Sequence, residues 1–252
     1  MKTNTPTISI ITVTKNAGHI LAKTIDSVVA QTYPHIEYII IDALSDDNTL
    51  TIANEYRERI SHIISEPDSG IYDAMNKGIA LATGDILCFL NAGDRLYENQ
   101  TIEKIAGAFN RTHAWIVYGK PVYENIPPGL EKRYTQRSYI FDSKMAVAEY
   151  NSPQQCFFYQ RGAFDQIGLF DTRFKVAADM DWFLRSLNLK IPNYFLDEFV
   201  CVCDLGGISS FPHVKERIAV FRKNMNMTEF LHYSLFAITR QCQRLLNKER
   251  LN

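Results

Sequence analysis

No stretch of this 252-residue chain approaches the ~20 consecutive apolar residues that crossing a bilayer requires. Met1 to Pro6 leads straight into a strand-like segment, without the charged-then-apolar layout of a secretory leader. Net charge is nearly absent: 27 Lys and Arg against 28 Asp and Glu leave −1, which gives no overall pull toward nucleic acid. Cysteine is sparse. Cys88, Cys156, Cys201, Cys203 and Cys242 are odd in number and lack the paired spacings of a zinc motif or a disulfide framework. They read as reduced thiols that pack as small hydrophobes. No internal repeat or low-complexity run occurs. A G-x-G-x-x-G signature is missing after the first strand, which argues against a nicotinamide-dependent oxidoreductase. These absences lead to the expectation of a soluble cytoplasmic protein, at most peripheral on the inner face of the cell membrane.

What is present is a chain that is 46% hydrophobic, enough for one good core. Ile8 to Thr14 is a β-branched run suited to a buried strand, followed by a turn at Lys15-Asn16-Ala17-Gly18 and a helical stripe through Ile20, Leu21, Ile25, Val28 and Val29. Tyr38 to Ile41 is a second strand ending on Asp42. Ser45 to Asn48 offers caps for a helix over about Thr49 to Arg59, and Ile60 to Ile64 is a third strand. A helix over Ile71 to Leu81 and a strand from Ile86 to Leu90 come next. Strand and helix alternate with short connections, the pattern of a mostly parallel sheet with helices on its faces. Beyond a helix near Thr101 to Phe109 the pattern changes. Trp115 to Tyr123 is strand-like, Glu124 to Arg137 a polar loop, Asn151 to Phe158 loop then strand, and Asp179 to Leu187 helical.

Ligands of open α/β sheets collect at the carboxyl ends of the strands. Asp42 stands at such an end and Asp68 in the turn after the third strand, where both could accept hydrogen bonds from a base or a ribose; helix capping is the alternative for each taken alone, and together at one rim they favour ligand binding. Lys77 could meet a phosphate, or pair with Asp73 one turn earlier. Asn91-Ala92-Gly93-Asp94, just past the fourth strand, is a candidate corner for a hard divalent cation, since such ions use few protein oxygens plus those of substrate phosphates. Asp179 and Asp181 open a helix, and at i, i+2 they diverge. Asp181 therefore reads as structural, and Asp179 as a candidate general base facing a cleft. Gln154, Gln155 and Gly206 to Ser210 could line an acceptor pocket or serve as turns and strand edge.

Taken together these residues resemble the family 2 glycosyltransferases of GT-A fold, particularly the branch of bacterial exopolysaccharide and O-antigen synthesis that includes colanic-acid-type transferases. The resemblance covers about residues 7–210. It rests on Ile8-Ser-Ile-Ile-Thr-Val-Thr-Lys-Asn16, Ser27 to Tyr33, Ile39 to Thr49, Phe89-Leu-Asn-Ala-Gly-Asp94 and Ala178-Asp-Met-Asp-Trp-Phe-Leu-Arg185, in the family's order. Val13 stands where the family commonly has proline, Asn91 and Gly93 where it has acidic residues, and Ala178 where it has glutamate.

The resemblance implies a GT-A-like central sheet and an inverting transfer of a sugar from a nucleotide-diphosphate donor, a UDP-sugar, to a hydroxyl of a glycan or lipid-linked acceptor. It implies Asp179 as the base, and Thr14, Asn16, Asp42, Asp68, Lys77, Asn91 and Asp94 around the donor. Asp94 would hold Mn²⁺ or Mg²⁺, and Gln154, Gln155 and Trp182 would face the acceptor. A catalytically silent nucleotide-sugar-binding module and a sugar nucleotidyltransferase are the alternatives. The second lacks a glycine-rich basic loop after its first strand.

The expected organisation is one domain over 1–211, with a nucleotide-binding half to about 110 and an acceptor-binding half after it. A basic amphipathic helical tail would follow over 212–252. From His213 onward eight Lys and Arg face three Glu, so a net +5 tail follows a −6 body. Phe221, Phe230, Tyr233, Leu235, Phe236 and Ile238 among Arg222, Lys223, Arg240 and Arg244 suit an anionic membrane surface, the body of the domain, or a second subunit in a homodimer.

Overall fold

A computed structural model gives the fold and describes residues 5–126, 128–129, 134, 143–149, 153–205 and 213–235. Four strands, β1 (Ile8–Thr14), β2 (Ile36–Asp42), β3 (His62–Ser65) and β4 (Ile86–Phe89), lie parallel in the order β3-β2-β1-β4. β1 and β4 are buried along their whole length and β2 from its second residue. That is why they read as continuous Ile/Val/Leu/Phe runs rather than alternating ones. Between them run α1 (Gly18–Val29), α2 (Thr49–Glu55) and α3 (Ile71–Leu81). α3 packs so closely on β1 that a Cβ on Gly78 would sit 2.4 Å from Cγ2 of Ile11.

The second half contains β5 (Arg95–Leu96), α4 (Thr101–Thr112), β6 (Ile116–Glu124), α5 (Lys144–Glu149), β7 (Phe157–Gln160), α6 (Arg161–Ile167), α7 (Ala178–Asn188), β8 (Asn193–Asp204) and α8 (Val214–Asn224). It extends the same sheet: β7 pairs antiparallel with β4, then β6 follows, then β8 parallel to β6, then β5 at the edge. The result is the α/β architecture expected, a curled, mostly parallel sheet flanked by helices.

Three local differences separate the structure from the expectations. The helix expected over Thr49 to Arg59 ends at Glu55, and residues 57–59 form a single 3₁₀ turn before β3. β8 has no counterpart in the sequence reading because Asp197 and Glu198 interrupt its apolar run. Both face solvent where the β6–β8 register shifts between Tyr118 and Pro121. Trp182 was expected beside the acceptor, yet it is 0% exposed. Its Nε1 donates to the Gly168 carbonyl at 2.8 Å, and its ring packs on Tyr159 and Phe164. An indole aimed into the core is unable to line a cleft.

The start of the expected tail packs on the domain. Val220 and Phe221 of α8 are fully buried, and Lys223 Nζ lies 3.0 Å from Asp171 and 2.8 Å from Asp181. Residues 236–252, with Phe236, Ile238, Arg240 and Arg244, and the Gly206 to Ser210 segment lie outside the described residues.

Candidate active site

The carboxyl ends of β1, β2, β3 and β4 form one rim, and most of the expected residues stand on it. Thr14 pairs in register with Asp42 at the ends of β1 and β2, and Asp42 with Ser65 at the ends of β2 and β3. Asp42 is fully buried and turned inward. Its carboxylate accepts from the Ser45 N–H at 2.9 Å, from the Ser65 hydroxyl at 2.6 Å and from the Ser45 hydroxyl. A carboxylate has about four acceptor positions, so little of this one remains for a ligand, and Asp42 mainly orders two serine hydroxyls at the rim. Asn16 adopts the left-handed region (φ 50), and its Oδ1 accepts from the Asp46 N–H at 3.0 Å, tying the first rim loop to the second.

Beyond β3, Asp68 accepts from the Gly70 N–H at 2.9 Å. Gly70 itself has φ 132, a value that glycine alone adopts without strain, and it opens α3. Lys77 points back at this loop. Its Nζ donates to the Pro67 carbonyl at 2.5 Å and pairs with Glu66 at 2.9 Å, with Asp73 at 4.0 Å. Its contacts are the ion pairs with Glu66 and Asp73 and the Pro67 carbonyl, which hold it over the loop that carries Asp68.

Past β4 the chain turns through Asn91 to Asp94, held by the Gly93 N–H donating to Thr24 Oγ1 at 2.9 Å. Asp94 is almost fully buried, and its two oxygens are separately engaged. Gln155 Nε2 donates to one at 2.5 Å and the Asp204 N–H to the other at 2.9 Å. Burial, reinforced by the neighbouring Cys203 and Asp204 charges, pushes this carboxyl up to about 8 against those two hydrogen bonds. Asp204 in turn pairs with Lys23 at 3.1 Å.

Asp179 begins α7 across the rim. Its Oδ1 accepts from the Tyr72 hydroxyl and from the Met180 N–H, each at 2.8 Å. Burial raises its carboxyl above the ordinary aspartate value, opposed by the Tyr72 and Met180 hydrogen bonds. The loop before it is fastened twice: Lys175 Nζ donates to the Ser69 carbonyl at 2.9 Å, and Glu216 of α8 accepts from the Lys175 and Val176 N–H groups at 3.0 and 2.9 Å. Asp181 is fully buried against Arg185 at 2.9 Å and Asn224 at 2.8 Å, the structural role its spacing suggested.

Three buried polar atoms among these residues have no hydrogen-bond partner among the described residues: Thr14 Oγ1, Asn91 Oδ1 and Gln154 Nε2. Leaving a buried polar group unpaired costs about 1–3 kcal/mol, so groups of this kind fit a ligand that pairs with them. The oxygen donors of Asn91 and Asp94 also fit a hard divalent cation. Tyr72, Ser65 and Asp204 were not anticipated. For Asp204 the signal was available, an aspartate at a strand end, but it depended on seeing β8 first.

The chain belongs to glycosyl transferase family 2, whose description matches residues 9–168, and it is a glycosyltransferase. It is 36% identical over 212 residues to a PGL/p-HBAD biosynthesis glycosyltransferase of Mycobacterium bovis, covering 81% of this chain and 80% of that one. An uncharacterized glycosyltransferase of Mycobacterium tuberculosis is 33% identical over 230 residues, covering 87% and 82%. Among solved structures, S. aureus TarS 1–349 in complex with UDP-GlcNAc superposes with a TM-score of 0.70 at 19% identity, over 86% of this chain and 64% of that one. The mannosyltransferase PcManGT of Pyrobaculum calidifontis, in complex with GDP-Man and Mn²⁺, gives 0.68 at 17% identity over 91% and 69%. These two likenesses establish the GT-A-type fold.

Proposed function

We propose that this glycosyltransferase moves a sugar, with inversion, from a nucleoside-diphosphate donor to a hydroxyl of a glycan or lipid-linked acceptor in bacterial surface-glycan synthesis. The observation that carries the reading is the rim of the sheet. Thr14 Oγ1 and Asn91 Oδ1 are buried and unpaired there among the described residues, between an inward-turned Asp42 and a clamped Asp94. Nucleotide, ribose and diphosphate present the donors and acceptors that such atoms lack. TarS with UDP-GlcNAc and PcManGT with GDP-Man make nucleotide sugars the natural donor class, and a UDP-sugar is the donor proposed.

In this reading residues to about 110 hold the donor and those to 211 the acceptor. Asn16 and Asp68 order the loops around the nucleotide, Lys77 steadies the Asp68 loop, and Gln154 offers its unpaired amide to the acceptor. Asp179, aligned by Tyr72, takes the proton from the acceptor hydroxyl as that oxygen attacks the anomeric carbon opposite the leaving diphosphate. Asp94 and Asn91 would hold Mn²⁺ or Mg²⁺, which supplies positive charge to the departing diphosphate. The mycobacterial relatives carry a PGL/p-HBAD name, so an acceptor of glycolipid type suits the chain as well as an exopolysaccharide.

Peripheral attachment to the inner face of the membrane is part of the proposal. Met227, Leu231 and Leu235 are exposed on the helical residues 227–235 beyond α8. Liposome co-sedimentation checks it: a Leu231→Glu, Leu235→Glu variant that pellets with anionic vesicles as fully as the parent removes this element.

The central test is a thermal-shift panel of UDP-, GDP- and dTDP-sugars with and without Mn²⁺. A UDP-sugar is expected to raise the melting temperature most, with a Mn²⁺-dependent part that Asp94→Ala abolishes. A protein indifferent to every nucleotide sugar sinks the proposal.

A further inference from the structure

Cys156 closes a 3₁₀ turn (Gln154–Cys156) just before β7, while Cys201 and Cys203 sit two apart on β8 and so share one face of that strand. The turn and the strand are brought together by β6, which pairs with both β7 and β8. Cys156 Sγ lies 2.6 Å from Cys201 Sγ, which lies 3.3 Å from Cys203 Sγ, and the three sulfurs fall within 4.8 Å of one another. Three thiols from two separate segments therefore converge on one point of the core. All three residues are buried. The linear spacing hides the cluster, because one member comes from 45 residues upstream of the next.

We infer that Cys156, Cys201 and Cys203 form a binding site for a soft, thiophilic divalent cation, Zn²⁺ in the first instance. Three thiolates are a donor set that selects soft ions over Mg²⁺ or Mn²⁺, which the oxygens of Asn91 and Asp94 suit instead. A Zn–S bond of about 2.3 Å in tetrahedral geometry sets ligand sulfurs roughly 3.8 Å apart. The triangle therefore opens by about 1 Å on its shortest side, within the reach of small side-chain rotations. Each thiol releases its proton to solvent as its sulfur–metal bond forms. Three protein ligands leave one position of the tetrahedron for an exchangeable ligand.

The position of the cluster gives the cation its consequence. Gln155, adjacent to Cys156, donates to one oxygen of Asp94 at 2.5 Å, and the N–H of Asp204, adjacent to Cys203, donates to the other at 2.9 Å. A cation bound to the three sulfurs staples together the two segments that clamp Asp94. This consequence rests on the role proposed for Asp94; the thiol site itself does not.

The test uses the full chain, stripped with chelator and kept reduced with a phosphine, then titrated with Co²⁺ and with Cd²⁺. Thiolate-to-metal charge-transfer absorption is expected to saturate at one equivalent, to be displaced by Zn²⁺ and to be indifferent to Mn²⁺. Cys201→Ser and Cys203→Ser should lose it, whereas Asp94→Asn and Cys242→Ser should keep it, with circular dichroism reporting folding of each variant. Parental protein without the band overturns the site whatever the variants do. So does a folded Cys201→Ser variant that retains the full band. A parental protein that shows no band yet keeps its donor-induced thermal shifts would count against the thiol site alone.

Discussion

The hydroxyl of Tyr72 donates to Oδ1 of Asp179 at 2.8 Å, across 107 residues of chain, and so ties the first turn of α3 to the first turn of α7. A hydrogen bond to a carboxylate favours its ionised form, whereas burial favours the neutral one. At Asp179 burial prevails and the carboxyl is raised. A base must be ionised, so the acid limb of kcat/KM should fall above the range of an ordinary aspartate. Tyr72→Phe removes the opposing hydrogen bond and should move that limb to still higher pH while leaving the plateau rate within a few-fold. Asp179→Asn should keep donor-induced thermal shifts and lose roughly 10²–10⁴ in turnover. A pH profile with its acid limb unmoved in Tyr72→Phe would contradict the assignment of Asp179 as base.

Asp94 provides a second pH signature of opposite practical sense. Its carboxyl is pushed up to about 8, first by burial, so below that pH the folded protein retains a proton that the unfolded chain loses near pH 4. Between these values the folded state binds more protons, and stability must fall as pH rises, by up to about 1.4 kcal/mol per pH unit. Asp94→Asn should flatten this slope in urea melts taken from pH 5 to 8. Binding of a divalent cation needs the carboxylate, so Mn²⁺ affinity should climb with pH over the upper part of the same window. Isothermal titration at pH 6, 7 and 8 checks it.

The parallel half of the sheet was legible because β1, β2 and β4 are almost wholly buried and, apart from Ser9 and Glu37, carry apolar and β-branched side chains until the rim, where Asp42 and Asp94 break the run. The rim residues were legible for the same reason, as polar groups placed where a buried strand ends. What escaped notice depends on contacts between distant segments. The acidic pair Asp197-Glu198 masks β8, and with β8 hidden neither Asp204 beside Asp94 nor the meeting of three cysteines could be read. Trp182 failed differently. Its motif places it one residue after a structural aspartate, but the period of α7 turns its ring into a nest of Tyr159, Phe164 and Phe170.

Glu37, near the start of β2, accepts from the Ser9 hydroxyl at 2.5 Å, from the N–H and hydroxyl of Thr83 at 2.7 Å each, and from the Gly84 N–H at 3.3 Å. Burial acts to raise its carboxyl, yet these bonds together hold it below the usual glutamate value. Its contribution to stability is therefore complete above the unfolded-state value and is lost as pH falls through the lower folded one. Glu37→Gln replaces an acceptor oxygen by a donor facing other donors and should cost about 1–3 kcal/mol. The stability gap between parent and variant should narrow as pH falls below the unfolded-state glutamate value of about 4.3. Urea midpoints at pH 7 and pH 3.5 separate this from a defect independent of ionisation.

The helix that opens the basic tail is welded to α7, the helix that carries Asp179, rather than hung from it, and its loss should reach that residue. Phe221 is fully buried, with its ring centroid 4.3 Å from that of Tyr233, and Lys223 bridges Asp171 and the buried Asp181. Phe221→Ala should therefore cost about 3–5 kcal/mol, as expected for emptying a packed aromatic site. Lys223→Met should cost less, about 1–3 kcal/mol, because Asp181 retains Arg185 and Asn224. Glu216→Gln tests the link to function. Glu216 accepts from the N–H groups of Lys175 and Val176, in the loop that leads into Asp179. Weakening that grip should lower kcat several-fold while donor-induced thermal shifts and global stability change little. An unaltered kcat in Glu216→Gln would mean that α8 supports the fold without aligning the base.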